Sequence, residues 1–131
     1  MLSEISEEAN VEGKDEANRL HAIGYEYRKQ ENYAKAIEYY TKAIQTNPNL
    51  FKLYFNRGFA YDKLGDYVNA IKDYIKAISL DSKNPYTYYN LGISYDKNES
   101  IKDAIECFTK AINLNPDNAD FYHNRGLSFR K

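Results

Sequence analysis

The chain has 131 residues, enough for one domain, and a formal net charge of −1, which argues against a nucleic-acid or membrane-surface binder driven by bulk electrostatics. A single cysteine, Cys107, rules out an internal disulfide framework, and no apolar run approaches the length of a bilayer span. The acidic start, Met1–Asn10, does not resemble a signal peptide, so the chain reads as cytoplasmic with a nuclear location open, and Asn98-Glu99-Ser100 reads as a chance glycosylation triplet.

Residues 1–16 carry six acidic residues against Lys14 alone, while the remainder is net basic. This head reads as an acidic tail or short helix, separated at Gly13 from the body of the chain. From Ala17 the sequence falls into rows of thirty-four: 17–50, 51–84, 85–118 and a partial row, 119–131. Each full row predicts two helices. In the first row Leu20, Ile23, Gly24 and Tyr27 mark one apolar face, and Ile37, Tyr40, Ala43 and Ile44 mark the next. Asn32, Asp66 and Ser100 fall in one column between the paired helices, as N-caps, and Ser100 with Asp103 has the form of a capping box. Gly65 is suited to the left-handed turn before its cap. Glu31 and Glu99 hold that position in the other rows, which predicts turns that close differently there. Pro48 and Pro116 punctuate two row ends, and Asn84-Pro85 supplies a cap and a first-turn proline at the third.

The columns explain the composition, with its fourteen tyrosines and no tryptophan. Gly24, Gly58, Gly92 and Gly126 align, as do Tyr27, Tyr61, Tyr95 and Phe129. Further columns read Ala36, Ala70, Ala104, then Tyr40, Tyr74, Phe108, then Ala43, Ala77, Ala111. Short helices approach closely only where one offers a small residue and the other a ring to lie over it. Neither helix is stable alone at this length, so stability must come from stacking row on row. One column carries a further expectation. Where Arg57 stands, Asp73 comes sixteen residues later; where Ile23 and Leu91 stand, Tyr39 and Cys107 come instead. This predicts an Arg57–Asp73 ion pair inside the second row. Arg125 meets no such acid, because the fourth row supplies one helix only. That helix reads as the cut end of a longer chain rather than a natural cap, since Tyr122 and Phe129 keep the buried pattern, and such an end could self-associate.

The four aligned segments, Leu20/Ile23-Gly24/Tyr27, Tyr54/Arg57-Gly58/Tyr61, Tyr88/Leu91-Gly92/Tyr95 and Tyr122/Arg125-Gly126/Phe129, resemble the tetratricopeptide repeat. The resemblance covers nearly everything from Ala17 onward. It implies an all-α, right-handed superhelical solenoid of stacked antiparallel helix pairs: three repeats and the first helix of a fourth. It also implies a scaffold or adaptor that binds a protein partner, with no catalytic residues, metal or cofactor of its own.

The first helices of such a stack line a concave groove. Its expected lining is His21, Ala22, Tyr25 and Lys29; Lys52, Phe55, Asn56, Phe59 and Lys63; Tyr86, Tyr89, Asn90, Ile93 and Lys97; Asp120, His123, Asn124 and Leu127. Asn56, Asn90 and Asn124 repeat at the thirty-four-residue period, and carboxamides suit the backbone of an extended peptide. They resemble the asparagine ladder in the superhelical arm of O-linked N-acetylglucosamine transferase, though Asn is also common in this column of the family. The apolar members are hot-spot residue types for a peptide or helix guest. A rival reading is a co-chaperone that holds heat-shock chaperone C-termini. The clamp residues of that class fall here on His21, Tyr25, Asn56, Tyr86 and Asn90, and only Asn56 matches. A third reading is the substrate-recruiting arm of a longer enzyme.

Overall fold

The computed structural model describes the backbone from Leu2 to Lys131 and the side chains from Asp15 onward. It contains α1 (Leu2–Lys29), α2 (Tyr33–Thr46), α3 (Phe51–Lys63), α4 (Tyr67–Leu80), α5 (Pro85–Lys97), α6 (Ile101–Leu114) and α7 (Ala119–Phe129). Each helix packs on its successor, and among the described residues there is no strand. The expected break at Gly13 is absent, because α1 runs through it. A mid-helix glycine costs only about 1 kcal/mol against alanine, and strong helix formers surround this one.

The first helices also touch one another, α1 on α3, α3 on α5 and α5 on α7, whereas α2, α4 and α6 make no such contacts. Helices in contact along one side and splayed along the other must curve toward the contacting side. That puts α1, α3, α5 and α7 on the inner wall. Inside each pair a glycine lies beneath a ring: a Cβ added to Gly24 would sit 2.7 Å from the Tyr40 ring, and one added to Gly92 only 2.6 Å from Phe108. Gly126 meets nothing within 4 Å, because no later helix covers α7. For the same reason Tyr122 and Phe129, expected to be buried, are 44% and 64% exposed.

The turns correct two expectations. Glu31 and Glu99 adopt positive φ, 59° and 65°, as Gly65 does at 81°, so all three turns close alike. Asn32, Asp66 and Ser100 donate their N–H to the carbonyls of Tyr27, Tyr61 and Tyr95, and the residue before each donates to Arg28, Asp62 and Asp96. This double closure holds two glutamates in a conformation that normally selects glycine. Asn32 and Asp66 cap their helices through their side chains, at 3.2 Å, but Ser100 makes no such bond and no capping box forms. Its backbone angles match the other two, yet its oxygen is one bond nearer the chain and falls short of a gap they barely span.

Arg57 donates through Nε and Nη2 to the two Asp73 oxygens at 2.8 and 2.7 Å. Its Nη1 reaches Thr41 of the preceding row at 3.3 Å, and the Tyr54 and Tyr61 rings flank the guanidinium at 5.9 and 5.8 Å. Burial pushes the Asp73 carboxyl above its ordinary value against the pull of Arg57. Arg125, without an acid, still finds Thr109 at 3.4 Å, the counterpart of Thr41. Ile75, at the same position in the second row, precedes the row that has Leu91 in place of the arginine.

Candidate binding groove

The inner wall is built from side chains spaced twenty-eight to thirty-five residues apart, one row reaching the next. In its N-terminal half Asn56 is the hub. Its Oδ1 accepts from Arg28 Nη1 at 2.7 Å, and its Nδ2 lies 2.9 Å from His21 Nε2 and 2.8 Å from the Lys52 carbonyl oxygen. The Arg28 guanidinium lies over Phe59, 3.9 Å from the ring centroid, with Tyr25 at 5.5 Å. Lys63 adds a second cation over Phe59 at 5.2 Å. Burial first, then the charges of Lys52 and Arg28, bring His21 down to about 4, so the imidazole is neutral at physiological pH and accepts from the amide.

The C-terminal half is neutralised instead. Asp62 accepts from Ser94 Oγ at 2.8 Å and from Lys97 Nζ at 3.0 Å, and the next row repeats the set, with Ser128 and Lys131 donating to Asp96. Asn124 donates to the Tyr89 hydroxyl at 2.7 Å and to the Asp120 carbonyl, which leaves its own oxygen open. Asn90 makes no side-chain hydrogen bond among the described residues. A cleft of about 280 Å³ lies between α5 and α7, lined by Ile93, Lys97, Phe108, Asn124 and Leu127, among others.

The three asparagines are therefore not equivalent: Asn56 is consumed by the wall, while Asn90 and Asn124 keep free capacity. Phe55 and Tyr89 turn partly inward, onto Tyr74 and onto Phe108 and Phe121. Tyr25, Lys52 and Leu127 are exposed on the wall, as are Lys29, paired with Glu26 at 3.0 Å, and His123. Lys52 is held by Asn18. Among the described residues Arg28, Lys52 and Lys63 have no carboxylate at ion-pair distance, so the N-terminal half of the groove is positively charged.

Arg28 is absent from the lining inferred from sequence, and of the two Asp–Ser–Lys sets only Lys97 was in it. The signal lies in a column. Arg28, Asp62 and Asp96 share one position, and the residue thirty-two further on is Ala60 after the arginine but Ser94 and Ser128 after the aspartates. Serine appears only where an acid needs a donor. No helix is long and apolar enough to cross a membrane, and among the described residues no three His, Cys, Asp or Glu side chains gather as a metal site.

A family model described as tetratricopeptide repeat matches residues 51–84 and 85–118, and one described as TPR repeat matches 24–65. No curated protein matches the chain. Among solved structures it is similar to the first TPR of Spaghetti (RPAP3) bound to the HSP90 peptide SRMEEVD, at 25% identity and a TM-score of 0.87, over 89% of this chain and 93% of that one. The Arabidopsis OM64 TPR domain is also 25% identical, with a TM-score of 0.87, over 90% and 98% of the two chains. The second TPR domain of human RPAP3, in complex with the HSP70 peptide SGPTIEEVD, matches at 25% identity and a TM-score of 0.83, over 91% and 97%. Glycines lying under rings at a fixed thirty-four-residue step, stacked helix pairs and two matching family models lead to one conclusion: the chain belongs to the tetratricopeptide repeat family.

Proposed function

We propose that the inner groove takes an extended, acidic segment of a partner protein. In this reading a guest carboxylate sits against Arg28 and Lys52, beside Asn56. The free capacities of Asn90 and Asn124 pair with the guest backbone, and an apolar side chain enters the cleft at Ile93 and Leu127. One observation carries the reading: among the described residues Arg28 and Lys52 have no carboxylate at ion-pair distance, and after burial their charges are what keep His21 neutral. A guanidinium already ordered over Phe59 presents free N–H donors at little entropic cost. The same groove would serve a free-standing adaptor or the recruiting arm of a longer chain.

A second reading, a chaperone C-terminal peptide, is favoured by the peptides held in the similar Spaghetti and human RPAP3 domains. The clamp positions here hold His21, Tyr25, Tyr86 and Asn90, with only Asn56 in common, so such a peptide would depend on Arg28 and Lys52 instead. Calorimetric titration separates the two readings. Acidic peptides with internal and with terminal carboxylates are compared, SRMEEVD as free acid and as C-terminal amide among them. Arg28→Ala should weaken any acidic peptide about tenfold and flatten the salt dependence. A free acid that binds much better than its amide supports the chaperone reading. Equal binding of both supports the broader one, and binding indifferent to Arg28→Ala and Lys52→Ala would remove both.

A further inference from the structure

The slot filled by Arg57 in the second row recurs in the third with its occupant missing. Tyr88 and Tyr95 stand one period after Tyr54 and Tyr61, the rings that flank the Arg57 guanidinium. Arg125 in the fourth row sits in the same kind of cage, 5.6 Å from the Tyr122 ring centroid and 5.9 Å from that of Phe129. In the first row the slot is closed by Tyr39, stacked on Tyr27 at 5.5 Å. The third row has neither arginine nor ring, only Leu91 and Cys107. An open cleft of about 180 Å³ remains, several times the room one water requires, lined by Tyr88, Leu91, Tyr95, Asp103, Glu106, Cys107 and Lys110.

The charge around the slot has changed as well. Asn69 and Lys72 of the second row become Asp103 and Glu106, and among the described residues neither acid is within ion-pair distance of a cation. Lys110 lies beside Tyr88 at 5.7 Å, as Lys76 lies beside Tyr54 at 5.9 Å, so a lysine in this place does not keep a guanidinium out. Two acids against one lysine leave the cleft net negative. Burial first, and then the neighbouring acids, push the Cys107 thiol up to about 12, which makes it an inert floor rather than a reactive group.

We infer that the third row carries a binding site for an arginine side chain of a partner protein. The guanidinium would lie between Tyr88 and Tyr95, over Leu91, and donate to Asp103 and Glu106. The second row supplies the template, a guanidinium between two tyrosines with a carboxylate at hand. Flat stacking on aromatic faces with bidentate donation favours arginine over lysine. At 100° per residue, Tyr88, Leu91 and Tyr95 lie on the side of α5 turned away from Tyr89, Ile93 and Lys97. The site is therefore separate from the groove, and the inference does not depend on the acidic-guest reading.

The test is an NMR titration of the full chain with Nα-acetyl-arginine amide, using the citrulline analogue as a neutral isostere. Saturable shifts in α5 and α6 around Tyr88, Tyr95 and Glu106 are expected, with a dissociation constant on the order of millimolar and at least tenfold weaker binding of citrulline. The double variant Asp103→Asn/Glu106→Gln, whose sites are exposed, should lose at least fivefold in affinity without a change in fold. Leu91→Arg/Cys107→Asp, the pair already accommodated in the second row, should fill the slot from within and abolish the response. Equal binding of citrulline, an unchanged constant in the Asn/Gln variant, or shifts confined to the groove would each overturn the assignment.

Discussion

Cutting the Arg57–Asp73 pair on one side should be far more damaging than replacing both partners. The two side chains are 19% and 6% exposed and joined by two short hydrogen bonds. Asp73→Ala leaves a guanidinium between two tyrosines with Thr41 as its one remaining acceptor. Stranding a buried charge typically costs 3–5 kcal/mol, and the partial exposure of Arg57 places this case near about 3 kcal/mol. One period on, the sequence already holds the apolar solution in the same register, with Ile75 of the second row and Leu91 and Cys107 of the third at the equivalent positions. The triple change Thr41→Ile/Arg57→Leu/Asp73→Cys should therefore fall within about 1 kcal/mol of the parent, or exceed it. Urea melts followed by circular dichroism at 222 nm, with m checked for constancy, give the three free energies. An Asp73→Ala loss below about 1 kcal/mol, or a triple variant as weak as the single, would refute the reasoning.

Gly92→Ala should destabilise by about 1–3 kcal/mol because the methyl meets the Phe108 ring, whereas Gly126→Ala, with open space around it, should be neutral or gain up to about 1 kcal/mol; paired thermal melts decide. Glu31→Gly and Glu99→Gly relieve positive φ and should each stabilise by roughly 1 kcal/mol; unchanged melting points would show that the double closure leaves no strain to release. His21 has a folded value below its ordinary one, so below pH 6.5 the unfolded chain takes up the proton first. Its contribution to stability is present above pH 6.5 and drains away as the pH falls toward about 4. His21→Gln should flatten that part of a stability-against-pH curve, and a parallel curve for the variant would contradict the assignment.

The parts of the fold legible in sequence were those written as identities within a column. Gly24, Gly58 and Gly92 with Tyr40, Tyr74 and Phe108 give the period, the helix pairs and the stacking, because a close approach needs the same two residue types every time. The Arg57–Asp73 pair was the exception, a covariation between columns that could be read; a second such covariation escaped. Arg28 occupies a position that holds aspartate in the next two rows, and only the loss of serine at Ala60 betrays its different partner. The turns at Glu31 and Glu99 escaped for another reason: the backbone hydrogen bonds that enforce their left-handed conformation involve no side chain. Ser100 shows the limit of reading by residue class. Serine is a good cap in general, but this turn's gap suits an oxygen one bond further out.

The groove's polarity has a consequence that links its chemistry to pH. Burial first, and then the charges of Lys52 and Arg28, which no acid offsets among the described residues, keep His21 neutral. A guest carboxylate arriving there supplies that offset and raises the imidazole's affinity for a proton, so binding takes up a proton wherever the pH lies between the free and the bound value. Affinity for an acidic peptide should then grow as the pH falls from about 7 toward 5, before the peptide's own carboxylates begin to protonate. His21→Gln should remove this growth while leaving the binding at pH 7.5 within about threefold. Calorimetry in two buffers of different ionisation enthalpy counts the proton directly. Finding none taken up at pH 5, one unit above the free value, would mean that the carboxylate docks away from His21, and with it from Arg28 and Lys52.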